Sequence, residues 1–286
     1  MKYVMRYPDW KSKALTLSYD DAVSQDIRLI DIMSKNGLKG TFNINAGMFG
    51  VQGTSVHRRM DAHEAIKLYK ESGNEVAVHT YEHIYMSEPY VANLTHQVLK
   101  DREEIEKLTG TIIRGMAYPY GFYCTDNAEN VINSLKACGI AYARMTGASE
   151  KFSLPENWLK LVPTCHHNNP RLTELFNAFM NIRIPADTKN RVMRPCTMFY
   201  LWGHSYEFDN DNNWEVIESF AKLAGGHDDI WYATNIEIYD YVMAYRQLRF
   251  NVEATTVHNP TSTDIYFATD LKDYVVKAGE TISLCE

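Results

Sequence analysis

Short apolar runs alternate with longer amphipathic segments along most of the chain. The run KALTLSYDD (13–21) has the length of a buried strand, and SQDIRLIDIMSKNG (24–37) repeats its apolar residues at helical spacing. A strand-like run (39–49), a helix-like segment (61–73) and the strand-like NEVAVHTYEH (74–83) follow. This alternation predicts parallel strands joined by helices, in an open sheet or a barrel.

The same rhythm continues to about residue 250 and then stops. We predict further helices at 93–108, 127–138 and 214–224, and strands at 112–121, 140–145, 161–167 and 196–204. The pieces VEATTVH, DIYFAT, YVVKAG and TISLCE then form a β-rich tail without helical period. The pattern therefore predicts a main domain over residues 1–250 and a small β-rich extension over 251–286.

Composition narrows the classes of function. With 286 residues and 45% hydrophobic content, the chain can bury a large core. A net charge of -7 gives no broad attraction to nucleic acid or to an anionic membrane. Five cysteines, odd in number and without CxxC spacing, indicate neither a disulfide framework nor a thiolate zinc site. The N-terminal segment lacks the apolar core of a signal peptide, so we expect a cytoplasmic protein.

Two groups of polar residues stand at predicted strand ends. Asp20 and Asp21 end the first strand; the pair fits a solvated turn, or one carboxylate that binds a metal beside one that moves a proton. His79 and His83 end another strand in the pattern His-Thr-x-x-His, which on a helical turn would direct both rings to one divalent ion. In a parallel barrel such strand ends converge on one face.

Two further segments, AYPYG (117–121) and LWGH (201–204), also follow predicted strands. With these four regions in this order, residues 11 to 250 resemble the NodB-type polysaccharide deacetylases of carbohydrate esterase family 4. The resemblance implies a distorted (β/α) barrel, followed here by the small C-terminal β appendage. It also implies hydrolysis of an acetyl group from an N- or O-acetylated carbohydrate, with no nucleic acid or membrane partner expected.

Carried over by position, the resemblance assigns Asp21, His79 and His83 to the metal and Asp20 to the general base. His204 would be the general acid, and the backbone N–H of Tyr120 would stabilise the oxyanion. Such a ligand set accepts hard and borderline cations, so we expect zinc, with Co²⁺, Ni²⁺ and Mn²⁺ as alternatives.

The chain departs from the family pattern at Ala117, where an arginine beside the catalytic aspartate is usual. Arg114 lies three residues earlier, an odd offset that turns its side chain to the other face of the strand. Without another cation in that place, we expect Asp20 to have a higher pKa than in arginine-bearing relatives. As a substitute for the arginine we favour His166 or His167, from LVPTCHH, over Arg114.

Several residues near the motifs are candidates for contact with the sugar. Aromatic side chains in strands can form a floor for a sugar ring, although core packing is their commoner role. Glu207 could orient His204 or the substrate. The candidate substrate-binding residues are Tyr118, Pro119, Trp202, Glu207, His166 and His167.

Two other functions remain open at this point. The same scaffold could hydrolyse another small amide or cyclic imide, which the lack of an export signal favours. It could also be a non-catalytic carbohydrate-binding descendant, an alternative disfavoured by the presence of Asp20 and His204.

Overall fold

The apolar run at the start of the chain forms the central strand of a large parallel sheet. Lys13–Asp20 is buried over its whole length because strands pair on both of its edges. One edge pairs with Thr197–Gly203. The other pairs first with Ile230–Tyr232 and then with Gly40–Ile44. Burial on both faces explains why this strand is a nearly continuous apolar run.

The computed structural model describes residues 2–52, 58–86, 91–121, 128–184, 192–270 and 272–284. Its strands are β1 (Tyr3–Arg6), β2 (Lys13–Asp20), β3 (Gly40–Ile44), β4 (Glu75–Val78), β5 (Gly115–Ala117), β6 (Tyr142–Arg144), β7 (Cys165–His166), β8 (Thr197–Gly203), β9 (Ile230–Tyr232), β10 (Arg249–Phe250), β11 (Thr256–His258), β12 (Ile265–Thr269), β13 (Asp273–Val276) and β14 (Thr281–Ser283).

The helices of the described residues are α1 (Asp26–Lys35), α2 (Ala62–Glu71), α3 (Val91–Thr109), α4 (Ala128–Ala137), α5 (Leu172–Met180), α6 (Tyr206–Asn210), α7 (Glu215–Ala224) and α8 (Asn235–Arg246). The predicted helices correspond to α1 to α4 and α7, whereas the helices α5, α6 and α8 and the strands β1, β9 and β10 were not predicted. Among these helices none is long and apolar enough to cross a membrane.

The large sheet has the order β6-β5-β4-β3-β2-β8-β7, with β9 paired to the start of β2. All of its strand pairs are parallel, and it curls into a half-barrel with helices packed on it. The predicted distorted (β/α) barrel is therefore confirmed. Because the strands are parallel, their carboxyl ends lie along the same edge of the sheet.

The predicted β-rich tail forms two small antiparallel sheets. In one, β12 lies between β13 and the N-terminal strand β1. In the other, β11 lies between β10 and β14. The first sheet joins the two ends of the described chain, so the boundary at residue 250 remains a prediction.

Candidate active site

The polar residues predicted at strand ends lie together along the carboxyl edge of the large sheet. Asp20 ends β2, His79 follows β4, and His204 follows β8. Arg144 ends β6, and His166 ends β7. Residues far apart in sequence thus come into contact because parallel strands end on the same side.

Asp20 is buried between several cationic or ionisable groups. Its Oδ1 accepts a hydrogen bond from Asn43 on β3 (2.8 Å), and its Oδ2 pairs with the guanidinium of Arg144. The same Oδ2 lies 3.6 Å from Nε2 of His204 and 3.8 Å from Nε2 of His79. Burial would raise the pKa of Asp20, but Arg144 and the two histidines lower it below its usual value. Asp20 is therefore ionised at neutral pH.

Asp21 follows Asp20 directly and has a left-handed backbone (φ 84°), a conformation that few non-glycine residues adopt. Its Oδ1 lies 2.8 Å from Nη2 of Arg59, and its carbonyl accepts a bond from Nη1 of the same guanidinium (2.8 Å). Oδ1 also lies 3.6 Å from Nε2 of His83. Burial would raise the pKa of Asp21, but Arg59 and the neighbouring histidines lower it.

His79 is held by hydrogen bonds on its backbone and on its ring. Its N–H donates to Asp101 Oδ2 (3.0 Å) on α3, while Nδ1 lies 2.8 Å from the carbonyl oxygen of Ala117. That carbonyl fixes the proton on Nδ1, so Nε2 presents its lone pair towards the aspartates. Burial lowers the pKa of His79, which keeps the ring neutral.

His83 reaches the site from a turn rather than from the helical turn considered above. Thr80 (φ 62°) and His83 (φ 53°) both have left-handed backbones, and Asn45 holds the turn through the carbonyl of Thr80 (2.8 Å). The rings of His79 and His83 lie 4.9 Å apart. Burial, with His79 nearby, lowers the pKa of His83 to about 4.

Asp21, His79 and His83 fit a divalent cation. Their ligating atoms all lie within 4.8 Å of one another. The set offers two neutral imidazoles and one ionised carboxylate, the protonation states that metal binding requires. The carbonyl bond on Nδ1 of His79 is the usual support for a metal-binding histidine.

His204 lies next to a carboxylate three residues later in the chain. Glu207, on α6, accepts a bond from the backbone N–H of His204 (3.1 Å) and places Oε1 3.3 Å from its Nδ1. Burial would lower the pKa of His204, but Glu207 and Asp20 raise it to about 9. His204 is therefore protonated at neutral pH and could donate a proton from Nε2.

His166 and His167 lie on the far side of Glu207 rather than beside Asp20. Their Nε2 atoms are 3.1 Å and 3.2 Å from Glu207 Oε2. Burial, with His166 nearby, lowers the pKa of His167 to about 3. Burial would raise the pKa of Glu207, but its bonds with His166 and His204 keep it low.

The proposed replacement for the family arginine was wrong, because Arg144 supplies that charge. Arg144 is fully buried at the end of β6 and pairs with Asp20. Arg114 instead pairs with Asp240 (2.9 and 2.5 Å), as its opposite orientation on the strand predicted. The condition for a raised pKa of Asp20, the absence of another cation, is therefore not met, and its pKa lies below its usual value.

The predicted aromatic contacts divide into core and surface residues. Tyr118 is fully buried and donates its hydroxyl to the carbonyl of Leu159 (2.8 Å), so it packs in the core. Pro119 is buried beside it. Trp202 is also buried, and the guanidinium of Arg144 lies over its ring at 4.5 Å. Tyr120 is exposed, and its ring lies 4.6 Å from that of His83.

Sequence reasoning missed the residues that hold the site together. Arg144 is the one charged residue in IAYARM, and Asn43 and Asn45 interrupt the apolar run FNINAG, so each carried a weak signal. Arg59 and Asp101 carried no signal in the sequence, because charged residues are common in the segments that contain them.

The chain matches the family model described as polysaccharide deacetylase over residues 8–143. That span contains Asp20, Asp21, His79 and His83, and it ends before Arg144 and His204. The chain is 29% identical to a chitin deacetylase of Pestalotiopsis sp. over 107 residues, which are 36% of this chain and 33% of that protein. It is 31% identical to a chitin deacetylase of Arthroderma benhamiae over 128 residues, 43% and 31% of the two chains. The chain thus spans about a third of each relative.

A solved structure shares the fold over most of both chains. It comes from Mycobacterium smegmatis, is described as a polysaccharide deacetylase, and has 15% sequence identity and a TM-score of 0.58. The alignment covers 85% of this chain and 94% of that structure. At this identity the likeness concerns the fold.

Proposed function

We propose that this chain, which matches the polysaccharide deacetylase family model over residues 8–143, is a NodB-type deacetylase of carbohydrate esterase family 4 and a metal-dependent hydrolase of acetylated carbohydrates. The observation that carries this proposal is the division of partners between the adjacent aspartates. Asp20 pairs with Arg144 and lies between His79 and His204. Asp21 pairs with Arg59 and lies beside His83. Two neighbouring carboxylates in different surroundings can have different roles.

Asp21, His79 and His83 would hold the ion. A divalent cation bound there would acidify a water molecule and polarise the carbonyl of the acetyl group. The neutral rings and the ionised carboxylate are ready for binding without loss of a proton. Zinc suits this donor set, and Co²⁺, Ni²⁺ and Mn²⁺ are alternatives to test.

Asp20 is the general base in this proposal. Its carboxylate is ionised because Arg144 compensates its burial, so it can accept the proton of the attacking water. Asn43 fixes Oδ1, which leaves Oδ2 facing His79 and His204. The exposed backbone turn at Tyr120 would provide an N–H to the oxyanion.

His204 is the general acid. Its Nε2 lies 3.6 Å from Asp20 Oδ2, so both groups can reach the same tetrahedral carbon from neighbouring positions. Glu207 keeps the imidazole protonated at neutral pH. Nε2 can then give its proton to the leaving amine or alcohol, which leaves poorly as an anion.

Acetate release tests the proposal. The two curated relatives are named chitin deacetylases, so oligomers of N-acetylglucosamine are the first substrates, beside O-acetylated sugars, small amides and cyclic imides. We expect acetate from an acetylated sugar, and a loss of about 100-fold or more in Asp20→Asn. Asp31→Asn, an exposed aspartate on α1, is the matched control.

The outcomes separate the open functions. Near wild-type turnover by Asp20→Asn, with its metal retained, contradicts the role of Asp20. Hydrolysis of a cyclic imide without release of acetate from any sugar would identify the other amide hydrolase. Binding of sugars without any turnover would identify a carbohydrate-binding protein.

A further inference from the structure

A second group of ligating side chains lies on the other side of Glu207 from His204. His166, His167 and Glu207 bring two imidazole nitrogens and a carboxylate oxygen within 4.8 Å of one another. Glu207 Oε2 is 3.1 Å from Nε2 of His166 and 3.2 Å from Nε2 of His167. We call these three residues the His166–His167–Glu207 cluster. Its donors are of the same kind as those of Asp21, His79 and His83, but none is shared.

His167 is the member whose surroundings call for a ligand. Its side chain is fully buried, and neither ring nitrogen has a hydrogen-bond partner among the described residues. Nε2 is close to Glu207 but does not form a hydrogen bond with it. A buried polar group left without a partner carries a free-energy cost. A ligand at Nε2 would remove that cost.

The ring of His167 is fixed in its direction. It stacks on Phe208 (4.1 Å between ring centres) and on Tyr19 (5.8 Å). Gly203 provides the space for the ring, because a Cβ at this position would come within 2.0 Å of Nδ1. The ring therefore presents Nε2 to Glu207 without needing to turn.

We propose that the His166–His167–Glu207 cluster binds a second divalent cation, most readily zinc, separate from the ion assigned to Asp21, His79 and His83. Two imidazoles and one carboxylate are a frequent zinc-binding set that leaves further positions open. Glutamate oxygen and histidine nitrogens 3.1–3.2 Å apart have the spacing of neighbouring ligands around one ion with bonds of about 2.0–2.1 Å.

The present hydrogen bond of His166 is a small obstacle to this binding. Its Nδ1 accepts from the backbone N–H of Asn168 (3.2 Å), which places the ring proton on Nε2. Metal binding would move that proton to Nδ1 and break the bond. Asn168 is exposed, so its N–H can bond to water instead.

The second ion would also affect the first site. Glu207 accepts a hydrogen bond from the backbone N–H of His204 and forms an ion pair with its ring. An ion at the His166–His167–Glu207 cluster would compete with His204 for that carboxylate. If the proposed function holds, zinc beyond the first equivalent should slow acetate release.

Metal counting tests the second site without reference to activity. The full chain is stripped with a chelator, titrated with zinc alone, desalted and analysed for zinc, and Co²⁺ absorption is recorded in parallel. We expect two ions in the wild type and one each in His79→Ala, His166→Ala and Glu207→Gln. The double variant His79→Ala/His166→Ala should bind none. His227→Ala, which removes a partly exposed histidine elsewhere, is the control and should bind two.

The pattern of losses distinguishes the two sites. One ion in the wild type that is lost in His79→Ala overturns the second site and leaves the first. One ion that is lost in His166→Ala and kept in His79→Ala supports the second site and overturns the first. His166 is used in preference to the buried His167 because it is partly exposed, and thermal unfolding of each variant checks that it folds.

Discussion

Asp20 and Asp21 are adjacent in sequence, yet each has its own arginine. Arg144 comes from β6 and pairs with Asp20, while Arg59 precedes α2 and pairs with Asp21. Two carboxylates buried together would normally raise each other's pKa. Here one guanidinium for each keeps both ionised.

Replacing Arg144 should change the pH dependence of hydrolysis. In Arg144→Met the burial of Asp20 is no longer compensated, so its pKa rises and activity is lost at a higher pH as the solution is acidified. We expect the acidic limb of kcat/KM to move up by about one unit, equivalent to about 1.4 kcal/mol. Arg144→Lys should shift it less. Arg114→Met, which removes the arginine paired with Asp240, is the control. An unmoved acidic limb in Arg144→Met would contradict this role.

Replacing Arg59 should weaken metal binding. Its positive charge opposes a nearby cation, but its bonds to the carboxylate and the carbonyl of Asp21 fix this proposed ligand. We expect the loss of this support to dominate, with zinc affinity falling about 10–100-fold in Arg59→Met. Competition with a chelator dye measures it. Arg58→Met is the matched control, because Arg58 pairs with Glu64 at the surface. Equal affinities in the two variants would show that Arg59 is dispensable.

At the scale of the elements, a buried carboxyl on α1 joins the helix to the segment that carries His204, the proposed general acid. Asp26 accepts hydrogen bonds from Ser205, which follows His204, and from Tyr69 on α2 (2.5 and 2.7 Å). Burial raises its pKa to about 7, although the two hydroxyls lower it in part. The carboxyl is therefore protonated in the folded protein at a pH where the unfolded chain is ionised.

This linkage predicts a pH-dependent stability. Asp26 has a higher pKa in the folded state, so its contribution is complete at acid pH and is lost as the pH rises through about 7. Between pH 5 and pH 8 the wild type should lose about 2 kcal/mol more unfolding free energy than Asp26→Asn. Urea unfolding at each pH measures this difference. Asp31→Asn, on the exposed face of the same helix, should follow the wild type. Parallel slopes for wild type and Asp26→Asn would refute the linkage.

At the scale of the whole molecule, the tail is tied to the start of the chain. β12 pairs with β1, and Ile265 packs in one buried cluster with Met5 and Tyr7. The hydroxyl of Tyr241, on α8, donates to the carbonyl of Arg6 (2.7 Å) and accepts from the N–H of Tyr266 (3.0 Å). These contacts link the N-terminal strand, the last helix of the barrel and the tail.

A chain that ends at residue 250 should therefore be less stable than the full chain. It would leave β1 without its partner strand and expose apolar side chains of the shared cluster. We expect a lower melting temperature by circular dichroism. Tyr241→Phe should destabilise the full chain more than the shortened one, because one of its two bonds is already lost there. Equal melting temperatures for the two chain lengths would instead support an independent extension over 251–286.

The sequence by itself determined the alternation of strands and helices and the groups at the strand ends. Both are local: an apolar run identifies a strand, and a polar residue directly after it lies at its carboxyl end. Parallel pairing then brings Asp20, Asp21, His79, His83 and His204 to one edge of the sheet, as the resemblance implied.

Only the tertiary structure decided which groups surround these residues. Arg144 is 124 positions from Asp20, and Arg59 is 38 positions from Asp21. Whether a charged side chain contacts a carboxylate depends on how the strands pair in the curled sheet. It also depends on the backbone conformation of the turn that follows each strand. Asp21, Thr80 and His83 lie in such turns and have left-handed backbones. The hydrophobic periodicity of the sequence does not predict these conformations. Long-range packing holds the three residues in a conformation that their own sequence does not favour.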